Sequence, residues 1–198
     1  MLSVGGKGLI AQTGAIVRYC TSLVPQLVPE DPFDASKAES IYLAAEELSK
    51  INPLVNVHRG EDHARLKAEY FQAFPVKLQR RAKFIEGSGE SIAASNPAAV
   101  SDALAPPSLR LAPLVAGGPF TLGSAPHYGD IFLYHIISNV KLVAPDALNS
   151  EPSFWGEFLL AVEGLEGIKD YLDRRPKPID IGVKPMLKPN ICGSRVVK

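Results

Sequence analysis

Gln12 and Thr13 stand where a short apolar stretch, Leu9-Ile10-Ala11, gives way to Gly14-Ala15-Ile16-Val17-Arg18-Tyr19. That order reads as a strand, a polar corner and the opening of a helix. An amide and a hydroxyl at the mouth of a helix suit a small anion with polar flanks. The first-turn N–H groups have no partner within the helix, and its dipole places partial positive charge there. Thr13 is also a residue type that caps helices, so spacing alone is consistent with an ordinary strand-to-helix turn capped by Thr13.

The remaining chemistry-bearing side chains are more scattered. Asp130 falls three residues into a strongly apolar segment, where a carboxylate completes a capping box by accepting the N–H of the residue before the helix. The position before that helix is His127 rather than Ser or Thr, which leaves Ser124 or a shifted start as alternatives, and a structural cap is the expected role of Asp130. Glu46 and Glu47 lie on a helical stretch with Lys50 close behind, as expected of a solvated face. His58, His63, His127 and His135 show no spacing of metal ligands, and His135 is expected to pack in the core. Gly5-Gly6-Lys7-Gly8 lacks the spacing and the following Ser or Thr of a phosphate loop, and no Ser-His-Asp arrangement is legible.

Several helices must position these residues. Pro25, Pro29 and Pro32 make a stiff connector over residues 24–33. Residues 35–51, with Ala38, Ile41, Ala45 and Leu48 on one face, predict a helix capped by Asp34 or Ser36 and ended by Pro53. Leu66, Tyr70, Phe74 and Leu78 predict a second helix over residues 61–84, kinked at Pro75. Residues 86–108, dense in Gly, Ser, Ala, Asn and Pro, read as an insertion, and residues 109–116 as a short helix. A helix over 128–142 is apolar over so much of its circumference that it should be central. Helices over 154–165 and 167–174 follow, with Phe154, Trp155 and Phe158 as core, and a proline-rich tail closes the chain.

The wording of these segments resembles the cytosolic glutathione transferases, in particular the sigma, mu and pi classes. Residues 12–19 resemble that family's "Gln-Ser-x-Ala-Ile-x-Arg-Tyr". Gly118-Pro119-Phe120-Thr121-Leu122-Gly123 with Tyr128-Gly129-Asp130 resembles its "Gly-x-Phe-x-x-Gly … Thr-Tyr-x-Asp", and residues 167–176 its closing "Ile-x-x-Tyr-Leu-x-x-Arg-Pro". The resemblance implies a mainly α fold, with the family's C-terminal helical bundle over 34–178. A remnant of its thioredoxin-like α/β domain would occupy 1–23, a linker 24–33 and an irregular tail 179–198. It implies glutathione as co-substrate, held at its γ-glutamyl end by Gln12 and Thr13, with Glu47 reaching it across a homodimer interface. Small hydrophobic electrophiles would lie near Tyr42 and His58, with Asn52 and Leu54 also bordering that space. Members of the family have about sixty residues before the corner, as a half-domain of alternating strands and helices requires. Here eleven precede it, so the sulfur-activating side chain is expected to be missing and conjugating activity to be weak or absent. The alternative is a non-catalytic helical module for dimerisation or apolar-ligand binding.

Composition restricts the partners. The 198 residues carry 21 basic and 21 acidic side chains, so no basic field is available for nucleic acid, which is not an expected partner. Cys20 and Cys192 make neither a metal spacing nor a disulfide framework, which points to a reducing, cytoplasmic setting without metal. No apolar run reaches the length of a membrane span, and no membrane association is expected.

Overall fold

The computed structural model describes residues 1–86, 118–149, 152–176 and 181–183. The chain begins as an antiparallel hairpin of β1 (Leu2–Val4) and β2 (Gly8–Ile10), with Leu2 opposite Ile10. Its turn is closed by the Lys7 N–H donating to the Val4 carbonyl at 3.0 Å. The second strand stops one residue short of the expected Ala11, because Gln12 already turns the chain into α1 (Thr13–Ser22).

Both boundaries of the first long helix differ from the sequence reading. The connector holds a single 3-10 turn at Pro25–Leu27, and α2 (Pro32–Glu47) starts inside the expected linker. Asp31 is its cap: one carboxylate oxygen accepts the N–H of Phe33 and of Asp34, each at 2.9 Å, while Pro32 supplies a preset first-turn φ. Neither Asp34 nor Ser36 caps it, and the Ser36 hydroxyl donates back to the Pro32 carbonyl. At the other end α2 gives way to a 3-10 turn at Ser49–Ile51 and then to α3 (Asn52–Asn56). Pro53 therefore lies in the first turn of a new helix, where its missing N–H costs nothing, and is not what stops α2.

α4 (Gly60–Glu86) contains Pro75, α5 runs Tyr128–Val143, α6 Pro152–Glu163 and α7 Ile168–Arg174. α5 is central, as its composition predicts: Leu133, Ile136, Ile137, Val140 and Val143 are buried against Ile41, Ala45 and Leu48 of α2 and its end, Leu54 and Val55 of α3, Tyr70 and Phe74 of α4, and Trp155, Phe158 and Val162 of α6. α2 and α5 approach closely at Gly129, where a β carbon would lie 2.6 Å from the Ala38 carbonyl oxygen. Only glycine fits that crossing. His135 is an exception to expectation: it lies on the exposed side of α5 and not in the core. The expected insertion over 86–108, the helix over 109–116 and the terminal part of the tail lie, apart from Glu86, outside the described residues.

Candidate functional site

The corner before α1 is made by one unusual backbone conformation. Gln12 occupies the cap position with φ 72° and ψ 132°, the sole non-glycine residue of positive φ among those described. For a residue with a β carbon this region is sterically costly, about 1–3 kcal/mol. The Gln12 carbonyl accepts the Ile16 N–H at 3.0 Å, so the helix begins there, and no side chain caps it. Thr13 is therefore the first helical residue and not the cap that its type suggested. Gln12 and Thr13 are both exposed, and the first-turn N–H groups of α1 have no partner within the helix.

α1 is held to the bundle by a polar cluster that spacing gave no means to assemble. Glu39 of α2 receives the Arg18 guanidinium on one oxygen and the Tyr128 hydroxyl on the other, the latter at 2.7 Å. The Arg18 guanidinium also lies 5.9 Å from the centre of the Tyr42 ring, which packs on Phe132 at 4.7 Å between centroids. Burial, reinforced by the hydrogen bond and the charge of Glu39, pushes the Tyr128 hydroxyl well above its usual range.

Tyr42 is a core residue at 1% exposure, and its hydroxyl has no hydrogen-bond partner of normal geometry. Burial first, then the Glu46 carboxylate, raises its pKa. His58 is half-buried at the far end of α3, close enough to His63 for their charges to interact. Asn52 accepts the Asn139 amide at 2.9 Å and Leu54 is buried. Neither Tyr42 nor His58 lines either of the two clefts described for the surface. Glu47 closes α2 in an exposed position, while its neighbour Glu46 is the carboxylate that acts on Tyr42.

A second constellation brings a hydroxyl, an imidazole and a carboxylate together at the start of α5. His127 caps the helix, its Nδ1 accepting the Gly129 N–H at 3.1 Å, and Asp130 accepts the His127 N–H at 3.1 Å. The capping box expected of Asp130 is present, with His127 and not Ser124 as its other half. Because Nδ1 is an acceptor, the ring proton sits on Nε2, which donates to the Thr121 hydroxyl at 2.7 Å; that hydroxyl donates in turn to Asp130 at 2.6 Å. The Thr121 N–H adds a further bond to the same carboxylate at 3.1 Å. The polarity is the reverse of a nucleophilic triad. The imidazole donates to the hydroxyl instead of accepting from it, and Thr121, His127 and Asp130 are all but sealed from solvent at 0%, 2% and 0% exposure. This is a structural clamp between the 118–127 loop and α5. The sequence signalled Asp130 through its position; Thr121 had no local signal, since nine residues separate it from the carboxylate it binds.

Among the described residues no group of three or more His, Cys, Asp or Glu side chains is placed to hold a metal ion, and no helix is long and apolar enough to cross a membrane. Cys20 is exposed and unpaired to sulfur. Neither a protein-family model nor a curated protein matches the chain.

Proposed function

We propose that the chain is a glutathione transferase-like protein whose α1 corner binds the γ-glutamyl end of glutathione. The observation that carries this reading is Gln12: an exposed polar side chain kept in a backbone conformation that glycine would occupy without strain. A turn with no ligand to serve gains nothing from glutamine there. The Gln12 amide and Thr13 hydroxyl can satisfy an α-carboxylate and α-amine together, and the dipole of α1 favours the carboxylate.

In the reaction this reading implies, the glutathione thiol loses its proton, the thiolate forms a carbon–sulfur bond with an electrophile, and the leaving group departs with the electron pair of its former bond. Gln12 and Thr13 orient the peptide and do not lower the thiol pKa, so their contribution falls on affinity. Isothermal titration with glutathione tests the site. Measurable binding that weakens about tenfold in Gln12→Ala is expected, in line with losing a hydrogen bond to a charged group. Equal affinity in both proteins returns the corner to a plain turn.

A second reading, a non-catalytic association module, is favoured by one observation. Leu9, Leu23 and Phe33 are 69%, 65% and 63% exposed along the first segment of the chain. Such apolar surface suits contact with another protein surface.

A further inference from the structure

A concavity whose lining includes neither Gln12 nor Thr13 lies between the connector and the loop leading into α5. It is a cleft of about 760 Å³, walled by Pro25, Val28 and Pro29 on one side and by Leu122 and Pro126 on the other. That volume falls in the range of small-molecule sites. Its walls are preformed, because each proline fixes its own φ. His127 forms part of the lining, but both its ring nitrogens are committed to Gly129 and Thr121, so it offers a ligand no free donor. The polar character of the cleft therefore comes from Gln26, Glu30 and Asp34, with no Lys or Arg in the lining.

Asp34 is partly compensated by Lys37 at 3.2 Å, and the neighbouring Asp31 is committed to capping α2. Glu30 is the exposed carboxylate for which such a role is not assigned. We propose that this cleft is a binding site for a small organic cation, an aryl- or alkylammonium whose apolar body lies between the proline walls and whose charge meets Glu30 and Asp34. An anion would face two carboxylates, of which, among the described residues, only Asp34 is partnered by a cation, Lys37. A neutral apolar ligand would leave the Glu30 carboxylate without a partner from the ligand.

Amide chemical-shift titration of the full chain at low ionic strength, with phenethylammonium and the isosteric neutral 2-phenylethanol as probes, tests the proposal. The expected result is a set of shifts centred on Gln26, Val28, Glu30, Leu122 and Ala125. The ammonium should bind about fivefold more tightly than the alcohol, the scale of one exposed charge contact. Glu30→Gln should remove most of that preference while leaving the affinity for 2-phenylethanol unchanged, which shows that the cleft itself is intact. Equal affinity for the two probes, shifts centred elsewhere, absence of binding, or a preference that survives Glu30→Gln would each overturn the assignment.

Discussion

Gln12 is the residue at which stability and binding are expected to oppose each other. Replacing it by glycine relieves the strain of its positive φ, while the unfolded chain gains freedom worth roughly half as much. Gln12→Gly should therefore be more stable than the parent by about 1 kcal/mol in urea unfolding, and should lose affinity for glutathione. A protein unchanged on both counts would leave the corner without a role. His127 carries a pH dependence whose sign follows from its surroundings. Burial holds its pKa below the ordinary 6.5, with the Asp130 charge opposing but not cancelling that effect. The folded imidazole thus stays neutral where the unfolded one already takes up a proton. Its contribution is complete above pH 6.5 and is lost as pH falls below that value. His63 is lowered in the same sense by burial and by Lys67, and adds to the slope. In His127→Asn, which retains a capping side chain, urea midpoints measured between pH 7 and pH 5 should decline less steeply than in the parent.

At the scale of elements, α2 and α5 owe their starts to polar side chains at the cap, Asp31 and the His127–Asp130 pair, and contacts at greater sequence distance fix where they lie. Asp130 accepts bonds from the Thr121 N–H, the Thr121 hydroxyl and the His127 N–H while completely buried, so it does more than cap α5. Asp130→Ala should cost about 2–4 kcal/mol, beyond the roughly 1 kcal/mol of a surface cap, because it leaves buried donors unpaired. Denaturant unfolding measures this, and ligand affinity at the α1 corner should be unaffected once the fraction folded is accounted for. A loss near 1 kcal/mol would mean that the 118–127 loop relaxes and rehydrates its donors. α1 depends in a similar way on Glu39, which joins it to α2 and to Tyr128 of α5 through a single carboxylate.

At the scale of the molecule, the core formed by the described residues centres on α5, and no hairpin residue belongs to it. Ile136, Ile137 and Val140 are fully buried, whereas among the described residues β1 and β2 pair only with each other and hold no buried residue. A two-stranded sheet of this length is marginal in water. Amide hydrogen exchange should find Leu2–Ile10 nearly unprotected and the middle of α5 exchanging only through global unfolding, in a sample shown to be monomeric. Protection of the hairpin equal to that of α5 would indicate that another surface covers it.

The apolar periodicity of residues 128–142 was sufficient to identify α5 and its central place, because a helix hydrophobic around most of its circumference must be surrounded. Ala38, Ile41, Ala45 and Leu48 likewise marked the buried face of α2. What stayed hidden was decided by groups that meet only when the chain folds. The start of α2 depended on Asp31 outcompeting Asp34 and Ser36, a choice set by backbone geometry at the cap. The positive φ of Gln12, the Glu39 junction and the Thr121 hydroxyl beneath α5 have no periodic signature, since each depends on a conformation or a contact that no local pattern encodes. Sequence determined which segments are helical and which faces are apolar, through propensity and spacing acting over one or two turns. Tertiary structure alone decided which polar groups meet, because hydrogen bonding and burial are properties of neighbours in space and not in the chain.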